Sequence, residues 1–306
     1  MVRDSLTTRI KQLRVLLDRH PSVLALGCCG LVVSMGGAVW ISTQSGASLQ
    51  IQRKPSLLEL LDEVASSTPK QVKDSASKQA PTPPKTIGWR SPLAKQCSGH
   101  DEALRRRLLS QRGALQRQRQ TIDIDASNFG KRYRIDPWKK TIDPKPRVVV
   151  LHETSNSLSS AINTFKTHHA DDNDQVSYHT LIGRDGRIVD VVNPLYRAFG
   201  AGYSAFLGEW AVTNPNFMGS VNNFALHLSL ETPEDGYSGG RHHSGYTQAQ
   251  YDALAVVLDA WMHSFSIPAA AITTHEHVDL GGERGDPRSF DWNQLQVRLA
   301  ALKRLC

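Results

Sequence analysis

From Arg147 to the carboxyl end, apolar and polar positions fall into short periodic blocks that predict alternating strands and helices. Val148-Val149-Val150-Leu151 is an unbroken apolar run, the pattern of a strand buried on both faces. A helical stretch follows from Leu158 to about His168. Val176–Ile182 reads as a second strand, and Arg184-Asp185-Gly186-Arg187 as a hairpin turn into Ile188–Val192. Residues 225–230 alternate, with Leu226, Leu228 and Leu230 on one face and His227, Ser229 and the following Glu231 on the other. Thr247 and Gln250 form a capping box ahead of a helix that places Tyr251, Leu254, Leu258, Trp261 and Phe265 on one side. Ile272 opens a last short strand that ends at His275. There is no internal repeat, and the pattern predicts an α/β domain over residues 147–306 with a mixed central sheet flanked by helices.

The first half of the chain is patterned differently. Residues 23–42 begin with Val23–Ile41, 19 residues without a charge, which as a helix would reach about 28 Å against a hydrocarbon core of about 30 Å. Arg3, Arg9, Lys11, Arg14 and Arg19 precede this run and only Arg53 and Lys54 follow closely. The positive-inside rule therefore predicts a cytoplasmic basic tail at 1–22 and a transmembrane signal-anchor helix at 23–42. It also places the α/β domain at 147–306 outside the inner (cytoplasmic) membrane, on the periplasmic side. A cleaved signal peptide is the rival, with small residues at Ser45-Gly46-Ala47. Residues 43–100, rich in Pro, Ser and Lys, read as a flexible linker. Residues 101–146 read as a basic helical extension. Its helix at 101–122 carries Leu104, Leu108 and Leu115 among six arginines. That helix either binds anionic polymer or lipid head groups or packs its leucines on the next domain.

Charge changes the picture once it is divided by region. The net +7 is made of 13 basic against 6 acidic residues in 1–100, 13 against 6 in 101–147, and 10 against 17 in 148–306. The α/β half is acidic, which argues against nucleic acid as a partner. Four cysteines without a CxxC pair exclude a cysteine-rich zinc module. Cys97 and Cys306 flank the acidic half and are either a disulfide or two free thiols.

Candidate chemistry gathers at element ends. His152 closes the first strand, His275 closes the last, and Asp286 lies in the glycine-rich loop Gly281–Pro287. Two imidazoles and one carboxylate suit a catalytic zinc ion with a fourth position open to water, whose pKa such an ion lowers to about 7.

Three blocks then stand in a telling order: Val149-Val150-Leu151-His152-Glu153-Thr154, Val176-Ser177-Tyr178-His179-Thr180-Leu181-Ile182-Gly183-Arg184-Asp185-Gly186, and Thr274-His275 with Asp286-Pro287 and Phe290-Asp291-Trp292. Together they resemble the zinc-dependent N-acetylmuramoyl-L-alanine amidases of the type 2 amidase and peptidoglycan-recognition-protein family, over about residues 147–295. The resemblance implies hydrolysis of the amide between N-acetylmuramic acid and L-alanine in bacterial peptidoglycan, with peptidoglycan or muropeptide as partner. It implies His152, His275 and Asp286 as Zn2+ ligands, with His277 competing with His275. Tyr178 and Arg284 are implied as groups that stabilise the oxyanion, and Glu231 as the carboxylate that shuttles the proton. If Asn223-Phe224 fixes the register, Ser229 takes the acidic position instead of Glu231, and Gly200 stands where many members carry a histidine. The alternative is a non-catalytic peptidoglycan-binding module of the same fold. Oligomeric state is not legible.

Overall fold

A computed structural model describes residues 79–85 and 88–306. At its centre is a six-stranded sheet in the order β1-β5-β4-β7-β3-β8. The strands are β1 (Gln120–Thr121), β3 (Val148–Glu153), β4 (Thr180–Ile182), β5 (Ile188–Asp190), β7 (Ala225–Leu230) and β8 (Ile272–Thr274). A separate two-stranded ribbon pairs β2 (Phe129–Gly130) with β6 (Arg197–Ala198). β3 runs parallel to both β7 and β8, and β7 parallel to β4, while β4 and β5 form the antiparallel hairpin expected around Gly186. All six residues of β3 and all six of β7 are buried, as the apolar run at 148–151 predicts for a central parallel strand.

Helices cover the sheet on both faces. The long α3 (Gln248–Phe265) starts at the predicted capping box of Thr247 and Gln250 and ends with Ser266 in a left-handed conformation. Its Tyr251, Leu254 and Leu258 join Leu226, Leu228, Leu230 and Leu151 in the main core. Each fully buried leucine there contributes about 1.5–3 kcal/mol. α5 (Trp292–Ala301) packs beside α3. On the other face α2 (Leu158–Lys166) sets Leu158, Ala161 and Phe165 against Leu181 and Val189. The second strand is shorter than Val176–Ile182, because Ser177 is drawn off the sheet: its hydroxyl donates to Asn128 O and accepts from Phe199 N.

The extension helix, α1 (Glu102–Gln118), packs rather than projects. Leu108 is buried with Ala255, Ala301 and Leu302, Leu104 lies against them, and Arg107 and Arg112 pair with Asp252 and Asp259 of α3. Part of the expected linker also lies on the domain. Trp89 Nε1 donates to Ala270 O at 2.9 Å, Leu93 is buried, and Gln96 N donates to Leu305 O at 2.7 Å. Cys97 and Cys306 form a disulfide. Composition marks 43–100 as poor in core formers, yet a single Trp, a Leu and a Cys suffice to anchor its last ten or so residues.

One part of the expected architecture is corrected. The mixed sheet flanked by helices stands, but the transmembrane helix preceding it is not retained. Among the described residues no helix is long and apolar enough to cross a membrane, and 23–42, like the tail 1–22, lies outside them. An apolar run of spanning length is a statement about one segment's transfer energy and fixes no structure by itself. The single-pass inner-membrane location with an outward-facing domain, and membrane association through that helix, rested on it and are withdrawn with it.

Candidate active site

Three element ends meet at the carboxyl edge of the parallel strands. His152 is the fifth residue of β3 and has no exposed surface. His275 opens the one-turn helix α4 (His275–Val278) directly after β8. Asp286 is brought in by the loop after α4, which Asp279 organises by accepting the backbone N–H groups of Glu283 and Arg284. A further bond from Glu276 N to Asp286 O, 3.1 Å, closes this loop onto α4.

The ligand atoms of His152, His275 and Asp286 all lie within 4.8 Å of one another. Asp286 Oδ1 is 2.9 Å from His275 Nδ1 and Oδ2 is 3.3 Å from His152 Nδ1. Burial pushes the Asp286 carboxyl up, but the two imidazoles beside it outweigh that and hold the group below the usual carboxylate range. Burial brings His152 down to about 4, so its ring is neutral at pH 7 and offers a lone pair. His152 Nδ1 is buried and, although close to Asp286 Oδ2, makes no hydrogen bond with proper geometry. Two imidazoles, one of them kept neutral by burial, and an ionised carboxylate form a donor set that fits a divalent cation. His277 belongs elsewhere: its Nδ1 meets Thr274 Oγ1 at 2.6 Å and its ring packs edge-on against Trp89.

The cluster opens into a cleft of about 750 Å3 that His275, Asp286, Tyr178 and Arg284 help to line. Tyr178 stacks on His152 with centroids 4.5 Å apart, and burial pushes its phenol far above the ordinary value. Arg284 is exposed at the rim. Arg197 also lines the cleft, with its guanidinium 5.0 and 4.9 Å from the ring centroids of Tyr133 and Phe199. Its Nε is buried without a partner.

Glu231 is placed outside this group. It follows β7, does not line the cleft, and gives both carboxylate oxygens to the backbone: Oε1 accepts from Leu158 N at 2.8 Å and Oε2 from Arg184 N at 2.9 Å. It thus caps the amino end of α2 and fastens the β4–β5 hairpin. Ser229, two residues earlier, stands directly opposite His152 in the parallel register. The residue that sequence reasoning did not select is His227, whose Nδ1 lies 2.9 Å from His152 Nε2. Alternation puts it on the polar face of its strand, but only the pairing of β7 with β3 brings the two rings together.

Residues 142–289 match the family model described as N-acetylmuramoyl-L-alanine amidase. Among curated relatives, the 1,6-anhydro-N-acetylmuramyl-L-alanine amidase AmpD of Citrobacter freundii is 36% identical over 125 residues, covering 40% of this chain and 57% of its own length. AmpD of Escherichia coli (strain K12) is 34% identical over 125 residues, covering 40% and 58%. The chain thus spans a little over half the length of these relatives. A solved structure of a selenomethionine derivative of AmpD aligns with TM-score 0.43 at 24% identity, covering 59% of this chain and 94% of that one.

Proposed function

We propose that this domain is a metal-dependent amide hydrolase that cleaves the bond between the lactyl group of N-acetylmuramic acid and L-alanine in peptidoglycan fragments. The observation that carries the reading is the convergence of the ligand atoms of His152, His275 and Asp286, with His275 and Asp286 lining an open cleft and the buried His152 Nδ1 making no hydrogen bond. These three residues would hold Zn2+, which when bound supplies Lewis-acid polarisation of a carbonyl and a water acidified to near neutrality.

The chain's own groups contribute the rest. Tyr178, kept protonated by burial, has a phenolic proton to donate and lines the cleft beside His152. Arg284, on the rim, supplies positive charge toward an amide oxygen that becomes negative during attack. Arg197 helps line the cleft and supplies positive charge suited to a carboxylate of the stem peptide. Tyr203, Phe217 and Met218 add an apolar wall along which a peptide or sugar face can lie. Glu231, committed to two backbone donors, is not assigned the proton transfer.

The test is mass spectrometry of a purified muropeptide incubated with the protein, with and without a chelator, alongside the metal content of the protein. Release of the intact stem peptide, lost on chelation and restored by zinc, is the expected result. Muropeptide binding with bound zinc but no cleavage would overturn the hydrolase reading in favour of a non-catalytic binding module.

A further inference from the structure

We propose that His227 is a positioning residue for the metal site: it accepts the Nε2 proton of His152 and so keeps the Nδ1 lone pair of His152 turned toward Asp286. This inference rests on the reading of His152, His275 and Asp286 as metal ligands. Four observations carry it.

The first is the contact itself. His152 Nε2 and His227 Nδ1 are 2.9 Å apart, both rings wholly buried. A neutral imidazole carries one proton. If Nδ1 of His152 is to bind a cation, its proton must sit on Nε2, and the atom facing Nε2 must accept. His227 Nδ1 is that acceptor, which places the His227 proton on its own Nε2.

The second is what His227 forgoes. Its Nε2 is buried without a partner, and an unpaired buried donor costs about 1–3 kcal/mol. A leucine or phenylalanine at 227 would fill the same space without that cost, so packing alone does not account for an imidazole here.

The third is how firmly the ring is held. Backbone N of His227 donates to His179 Nδ1 at 2.9 Å, and the His179 and His227 rings lie nearly parallel, 9° apart, with centroids separated by 5.8 Å. His179 is in turn tied through Nε2 to Tyr196 O at 3.2 Å.

The fourth is the residue above it. A Cβ on Gly200 would fall 2.4 Å from both Cγ and Nδ1 of His227. Gly200 is not among the glycines with positive φ, so its backbone is open to any L residue. The His227 ring is what demands glycine. Positions 200 and 227, far apart in sequence, are one steric unit over the metal ligand.

The test is zinc affinity, measured by competition with a chromophoric chelator on full-length protein, with the urea midpoint of each metal-free variant recorded beside it. His227→Ala is expected to weaken zinc binding about 10–100-fold, the range typical when the hydrogen-bond partner of a ligand is lost. His227→Gln, whose carbonyl can accept the same proton, should recover part of it. Gly200→Ala touches no ligand, yet should cause a comparable loss by displacing the ring. In the double variant Gly200→Ala/His227→Ala the two losses should not multiply, because the new methyl occupies space the ring has left. A zinc affinity in folded His227→Ala equal to the parent's overturns the proposal. Should that variant not fold, an unchanged affinity in Gly200→Ala overturns it equally. Failure of the underlying site reading looks different: His152→Ala and Asp286→Ala would then bind zinc as tightly as the parent.

Discussion

Glu231 offers the sharpest separation between a chemical and a structural role. In the structure its carboxylate holds two backbone donors: Leu158 N at the buried start of α2, and Arg184 N in the more open hairpin turn. Glu231→Gln retains one acceptor oxygen. If that oxygen stays with Leu158 N, the new amide group faces Arg184 N, donor against donor, and the negative charge at the amino end of α2 is gone. Losing the turn bond where water can replace it costs about 1 kcal/mol, and losing the favourable charge on the helix dipole costs about 0.3–1 kcal/mol. Glu231→Ala also strands Leu158 N, adding a further 1–3 kcal/mol. The expected destabilisation is therefore about 1–2 kcal/mol for Gln and about 2–5 kcal/mol for Ala, or roughly 3–8 °C in Tm for the milder change at this chain length. The assay pairs urea unfolding with muropeptide turnover measured well below the transition. Folded Glu231→Gln should turn over substrate within a few-fold of the parent. An unchanged unfolding midpoint together with a thousandfold fall in kcat would refute the reasoning and return the proton shuttle to this carboxylate.

Other expectations follow from the same contacts. The Cys97–Cys306 disulfide closes a loop with a sequence separation of 209, so in the chain-entropy picture its removal costs about 5 kcal/mol; urea unfolding of Cys97→Ala/Cys306→Ala against the parent measures it, and a difference below about 1 kcal/mol would show that the bond adds little to the packing of residues 88–97. Burial brings His179 down to about 3 from the ordinary histidine value. The unfolded chain therefore takes up a proton that the fold refuses. Stability is complete above pH 6.5 and falls by about 1.4 kcal/mol per unit as pH drops toward 3. Unfolding free energies at pH 7 and 5 should differ less in His179→Asn than in the parent, and equal slopes would refute the assignment. Arg284→Ala should lower kcat/KM about 10–100-fold with zinc affinity unchanged, since its guanidinium stands on the rim and ligates nothing; a parallel loss of zinc would place its role in the metal site instead.

The elements of the α/β half were legible because their signals are local. The apolar run at 148–151, the alternation at 225–230 and the Thr247–Gln250 box each mark an element within a few residues, and each element appears where expected, although the strand at 225–230 is buried on both faces. The same local logic picked out His152, His275 and Asp286, since ends of parallel strands are where side chains leave the sheet for solvent. It could not separate His275 from His277. The two lie two residues apart, and the start of α4 after β8 sends the first toward Asp286 and the second toward Trp89.

What the tertiary structure alone decided are the relations across distant pairs. Glu231 shares a strand face with Ser229, and alternation cannot tell whether such a carboxylate reaches a metal cluster or a helix terminus; the position of α2 over the sheet settles that. His227 is one polar residue among several in its strand until the parallel pairing with β3 sets it against His152. Gly200 reads as a missing side chain until the ring beneath it is seen. The anchoring of residues 88–97 likewise depends on Ala270, Leu305 and Cys306, far along the chain. Periodicity records the environment of one segment averaged over a few residues, whereas a hydrogen bond or a steric clash between side chains of separate elements depends on register and packing, which no single segment carries.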